Sequence, residues 1–155
     1  MRPYLVTGLM TAAAAAAGGA GTTPDSAWYR SLDKPSWQPP PAAFPLVWTP
    51  LYGLIAYGTG RLVASDPEHR AGLLALTGAD LAANAGWCWA FFRGESTTNG
   101  LRAIAVLNAL NVGLLGAAAR RDRRAAAAIA PYVAWTGFAT ALNAAIWRRN
   151  RPATR

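Results

Sequence analysis

Five apolar runs dominate the chain, at residues 3–21, 43–64, 71–92, 100–119 and 125–147. Polar breaks separate them: Thr22 to Pro41, Ser65 to Arg70, Arg93 to Asn99, and the cluster Arg120-Arg121-Asp122-Arg123-Arg124. Each run has about 19–23 residues, and a helix of roughly 20 residues crosses the hydrocarbon core of a bilayer. Alanine and leucine fill the runs and no run alternates, so helices are predicted rather than strands. The pattern predicts an all-α fold, a single domain over 1–155 built as an integral membrane bundle of five transmembrane helices. Residues 22–42 form a long loop between the first two helices, and a short basic tail follows from Arg148 to Pro152.

Composition both supports and tempers this reading. Apolar residues make up 53% and charged ones only 14%, against roughly 25% charged in average soluble proteins. Mean hydropathy is nevertheless only +0.14, because alanine stands in for leucine and arginines crowd the run edges. Taken alone, the residues also leave a soluble helical bundle open. The first run has signal-peptide features too: Arg2, an apolar stretch, then small residues from Gly18 to Gly21. The net charge of +8 flanks apolar runs, as membrane-flanking charge does, so no nucleic-acid partner is expected. With five spans, Lys and Arg divide seven against eight between the two sides, which decides no orientation and names no particular membrane. A single cysteine, Cys88, excludes an internal disulfide, and a single histidine, His69, argues against a metal site.

The polar break 22–42 is the most distinctive stretch. Pro39, Pro40 and Pro41 cannot lie inside a helix, and Pro35 and Pro39 push their predecessors towards extended geometry. With Trp28, Tyr29 and Trp37 it reads as an aromatic lid for a flat apolar ligand. Three runs offer matching faces. Phe44, Trp48 and Tyr52 share one side of the second helix. Asp80, Asn84, Trp87 and Phe91 share one of the third, and Trp135, Ala139 and Asn143 one of the fifth. Intramembrane amides serve as interhelical glue or as ligand contacts, and an intramembrane carboxylate such as Asp80 is a functional candidate by default. Trp28, Tyr29 and Trp147, near run ends, also suit an interfacial aromatic belt. Small-residue ladders at Ala71, Ala75, Ala79 and Ala83, at Gly78, Ala82 and Gly86, and at Ala109, Gly113 and Ala117 allow close helix approach within the bundle or between subunits.

The order Trp28-Tyr29, Leu32, Lys34-Pro35, Trp37, Pro39-Pro40, Phe44, Trp48, Leu51-Tyr52 resembles the tryptophan-rich sensory protein/translocator protein family, known in animals as the peripheral-type benzodiazepine receptor. Asn84, Trp87 and Phe91-Phe92 match its third helix. Pro131-Tyr132, Trp135, Phe138-Ala139 and Leu142-Asn143 match its fifth. The likeness spans about residues 4 to 150. It implies a five-helix bundle with a retained first helix, commonly a homodimer, that binds porphyrins such as protoporphyrin IX. Asp80 departs from the pattern, where glutamine is more frequent.

The lid and the three helix faces, together with the resemblance, point to ligand contacts at Tyr29, Trp37, Pro39, Phe44, Trp48, Tyr52, Asp80, Asn84, Trp87, Phe91, Trp135, Ala139 and Asn143. The implied role is porphyrin transport, scavenging or stress sensing, with porphyrin as ligand and no required cofactor or metal. Light- and oxygen-dependent porphyrin degradation is the alternative, with Trp48, Trp87 and Trp135 as candidate participants. A sensory scaffold acting through a protein partner is a third possibility. Sterol is not the expected ligand: between Leu142 and Arg148 an alanine stands where the sterol consensus of the fifth helix needs tyrosine. Leu54, Tyr57 and Arg61 match it only formally.

Overall fold

The computed structural model describes residues 2–151, and among them it is helical with no strands. Six helices occur: α1 Arg2–Gly21, α2 Ala27–Ser31, α3 Ala43–Ser65, α4 Arg70–Cys88, α5 Thr97–Arg121 and α6 Arg123–Asn150. The count differs from the expected five because α2, a five-residue helix, forms inside the proline-rich break. The Ser26 hydroxyl caps it by accepting from the Tyr29 N–H at 3.1 Å. The last two helices start two or three residues earlier than their apolar runs. Ser96 caps α5, and Asp122 caps α6 by accepting from the N–H groups of Arg124 and Ala125. Arg148 and Arg149 belong to α6, while Pro152 and Arg155 lie outside the described residues.

The third run does not end as an ordinary α-helix. Trp89–Arg93 widens into a π-turn, in which the Gly94 N–H reaches the Trp89 carbonyl at 2.8 Å. The wider turn lets the adjacent Phe91 and Phe92 both point inward, at 2% and 8% exposure.

The five long helices close into a ring. α1 packs on α3, α3 on α6, α6 on α5, α5 on α4, and α4 back on α1. Glycine makes the tightest seams possible. A Cβ at Gly58 would lie 2.8 Å from Ile129 of α6, and one at Gly60 would lie 2.6 Å from Tyr4 of α1. α3 is thus held closely on both flanks. By contrast, Ala71, Ala75, Ala79, Ala82 and Gly86 lie on an exposed face of α4, so most of that small-residue surface does not pack within the chain.

Among the described residues, three helices are long and apolar enough to cross a membrane by length and composition: α1, α5 and α6. α3 also has the length, with Trp48, Tyr52 and Tyr57 among its apolar residues, and α4 carries Asp80 and Asn84. These same two helices supply much of the interior's polar and aromatic chemistry.

One end of the ring is sealed by an apolar cluster of Leu62, Val63, Leu73, Leu114, Ala117, Ala118, Ala125 and Ile129. Ion pairs staple the turns beyond it. Arg61 meets Asp122 at 2.7 Å, and Asp66 receives Arg121 at 2.6 Å and His69 at 3.0 Å. The Arg121 guanidinium, and then His69, hold the Asp66 carboxyl down at about 2 from an ordinary 3.8; Arg61 likewise lowers Asp122. Because the folded-state values are depressed, the stabilisation is complete above the unfolded carboxylate pKa and is lost as pH falls through the folded one. The thermal midpoint in detergent should therefore fall between about pH 4 and pH 2. Asp66→Asn should begin lower at neutral pH and show a flatter acid limb, as read by circular dichroism.

Candidate functional site

At the other end the ring does not fill. A cavity of about 560 Å³ lies between all five long helices and the 22–42 segment. α3 presents Phe44, Trp48 and Tyr52, α4 and its π-turn present Asn84, Trp87, Phe91 and Phe92, and α6 presents Trp135, Ala139 and Asn143. The i, i+4 spacing explains the α3 and α6 sets, since such residues stack along one side of a helix. The indole of Trp48 stacks on Tyr52 at 5.3 Å, Trp87 stacks on Phe91 at 5.7 Å, and Phe44 meets Trp135 edge-on at 6.2 Å.

The lid is shaped by specific contacts. Trp28 and Tyr29 of α2 pack edge-on to Phe91, at 5.4 and 6.2 Å. The Tyr29 hydroxyl accepts from Gln38 Nε2 at 3.4 Å, and the Lys34 ammonium lies over the Tyr29 ring at 4.6 Å. Burial pushes the Tyr29 phenol up, with the Gln38 contact opposing it. The lid is tied to the end of α6. The Asp33 N–H donates to Asn150 Oδ1 and Asn150 Nδ2 donates to the Asp33 carbonyl, each at 2.9 Å. Arg149 adds an ion pair to Asp33 at 3.3 Å.

Of the thirteen candidates, ten line this cavity: Tyr29, Phe44, Trp48, Tyr52, Asn84, Trp87, Phe91, Trp135, Ala139 and Asn143. Three do not. Trp37 is turned out, half exposed, against Phe138 at 5.9 Å. Pro39 lies in the lid, while its neighbours Gln38 and Pro41 reach the wall. Asp80 is fully buried behind the wall, where Tyr132 donates to it at 3.1 Å. No spacing pattern pointed to the α1 wall of Ala15, Gly18 and Gly19 or to the α5 wall of Ile104 and Leu107. Alanine, glycine and isolated aliphatics carry no spacing signal that separates a cavity wall from ordinary packing.

The wall is mostly apolar and aromatic, with few polar groups. Among them Gln38 Oε1, Trp87 Nε1 and Asn143 Oδ1 are buried without a partner. Such a site takes a flat apolar molecule and offers it a small number of directional contacts. No group of three or more His, Cys, Asp or Glu able to hold a metal occurs among the described residues.

The sequence pattern of the TspO/MBR family matches residues 6–148. The chain belongs to that family. A "Tryptophan-rich sensory protein" of Cereibacter sphaeroides is 34% identical over 97% of this chain and 94% of its own length. "Protein CrtK" of Rhodobacter capsulatus is 33% identical over 89% of this chain and 87% of its own. The human "Translocator protein" is 31% identical over 79% of this chain and 75% of its own. As a TspO/MBR protein with apolar helices of spanning length, the chain is an integral, multi-pass membrane protein.

The paired hydrogen bonds at Asn150 predict a lid that loosens when they are removed. Asn150→Ala should speed proteolytic nicking within residues 32–42 several-fold, given about 1 kcal/mol for each hydrogen bond lost. Equal cleavage of wild type and variant would show that the lid is held elsewhere.

Proposed function

We propose that this protein binds a flat tetrapyrrole of the protoporphyrin IX type in the lid-end cavity, serving porphyrin transport, scavenging or stress sensing. The observation that carries the reading is the convergence of Trp48, Trp87 and Trp135, from three helices, on one cavity beneath an aromatic lid. Its volume of about 560 Å³ falls within the roughly 300–1,000 Å³ of small-molecule sites. Stacking and apolar burial supply most of the affinity. The carboxylates of a porphyrin would be met by Arg30 and Lys34 of the 22–42 segment, which stand outside the cavity lining. The ligand is metal-free, and no cofactor is needed. All five long helices cross the bilayer, and two copies pair through the exposed small-residue face of α4, where backbones can approach closely.

A second reading is favoured by the same indoles. A photoexcited porphyrin held against Trp48, Trp87 and Trp135 would have oxidisable partners in contact with it, and light- and oxygen-dependent degradation is the activity this second reading assigns.

One titration separates these readings. Purified protein is titrated with protoporphyrin IX in the dark and then illuminated, alongside Ala139→Leu, Trp48→Phe and Trp135→Phe. Leucine at 139 fills the cavity and should weaken binding roughly tenfold or more, with the fold retained. The phenylalanine variants keep an aromatic plane and should still bind. If they also lose photodegradation, the enzyme reading gains support. Equal photobleaching by wild type, variants and detergent alone would end it, and unchanged binding by Ala139→Leu would remove the cavity from the account.

A further inference from the structure

Among the described residues, Asp80 is the one buried side-chain carboxyl, and it does not line the cavity. It is fully buried on α4, its Oδ2 lies 3.1 Å from the Tyr132 hydroxyl, and its Oδ1 has no partner. Tyr132, on α6, is also fully buried and also lies behind the wall. Two cavity residues complete the chain: Asn84 Nδ2 donates to the Tyr132 oxygen at 3.1 Å, and the Tyr52 hydroxyl donates to Asn84 Oδ1 at 3.3 Å. Four side chains from α3, α4 and α6 thus form one directional series that runs from the cavity wall to Asp80.

We infer that Asp80 is a positioning residue that acts through Tyr132 to hold the Asn84 amide oxygen towards the cavity, favouring flat ligands whose N–H or O–H donor can reach it over equally shaped ligands without one. The inference rests on the lid-end cavity being the binding site. A hydroxyl has one proton to give. Tyr132 gives its proton to Asp80, so towards Asn84 it can only accept, and only the amide nitrogen can donate to it. The nitrogen is therefore turned inward and the oxygen faces Tyr52 at the wall. Tyr52 in turn spends its proton on that oxygen. What the pair offers a ligand is oxygen lone pairs. Without the Asp80 carboxyl, the Tyr132 proton has Asn84 as its remaining acceptor; the amide turns over and its N–H faces Tyr52 and the cavity. A buried polar group that loses its match costs far more than a matched one gains, so this polarity discriminates between ligands of equal shape.

The test uses carbazole and N-methylcarbazole, flat tricycles that differ by one N–H. Their affinities for the full chain in detergent are compared for wild type, Asp80→Leu and Tyr132→Phe. Leucine keeps aspartate's branched heavy-atom skeleton with somewhat more bulk and leaves no unpaired buried charge, and circular dichroism checks that the variant is folded before binding is read. Tyr132→Phe keeps Asp80 but disconnects it from Asn84. Wild type should prefer carbazole by on the order of fivefold, the worth of one hydrogen bond, and both variants should bring the ratio near one. Taking the ratio within each protein cancels any general loosening of the fold, and comparing that ratio between wild type and variants cancels the steric effect of the methyl group. A wild type that binds both probes equally, or neither, overturns the inference, as does a preference that survives in either folded variant. Protoporphyrin IX binding on the same samples tests the tetrapyrrole reading separately: its failure with an intact carbazole preference would reject the tetrapyrrole while leaving the role of Asp80 standing.

Discussion

Tyr132 joins three helices at one point, and the arrangement of the interior depends on it. Its hydroxyl gives to Asp80 and takes from Asn84 on α4, and its ring meets Trp48 of α3 edge-on at 6.2 Å. In an apolar interior without water, a polar side chain must find a partner inside the protein, because an unmatched one costs more than a matched one returns. Tyr132 provides that match between α6 and α4. Towards the stapled end the ring closes on aliphatic side chains, Leu114 and Ile129 among them. Towards the lid the walls become aromatic and the ring stays open around the cavity. Tyr132 stands at the boundary, just behind the cavity wall.

The two ends of the bundle are held by different physics. The far end combines dry aliphatic packing with ion pairs between turns, and nothing there needs to open. The lid end relies on aromatic edges and on exposed hydrogen bonds between Asp33 and Asn150, residues 117 positions apart. Exposed bonds and short helices sit at the low end of local stability. A segment held in this way can open without disturbing the ring, which is what entry of a large flat ligand from the bilayer or its surface requires. The glycine seams at Gly58 and Gly60 keep α3 rigid while its outer end carries Phe44 and Trp48 under the lid.

Much of this was legible in the sequence. Spanning-length runs gave the long helices, and i, i+4 aromatic spacing placed Phe44, Trp48 and Tyr52, and likewise Trp135, Ala139 and Asn143, on common faces that do meet at one cavity. Helical spacing also put Asp80 on a face with Asn84, but it could not show that packing against Tyr132 places the carboxyl one layer behind the wall. Trp37 was misread as facing inward because the path of the lid is set by the Asp33 to Asn150 tie and by contact with Phe138, neither of which has a local signature. The π-turn at Trp89–Arg93 brings Phe92 inside as well as Phe91, and hydrophobic periodicity does not foresee a change of helix type. The α1 wall was invisible for a simpler reason: alanine and glycine look the same lining a cavity as lining a seam.

The central claim is that the lid end, above Tyr132, is where a tetrapyrrole binds. Amide hydrogen exchange in lipid nanodiscs, with and without protoporphyrin IX, tests it most directly. Bound ligand should slow exchange in residues 22–42 and near 84–92 and 135–146, leaving 62–73 and 117–129 unchanged. Protection confined to the stapled end, or a lid whose exchange is indifferent to saturating porphyrin, would contradict it.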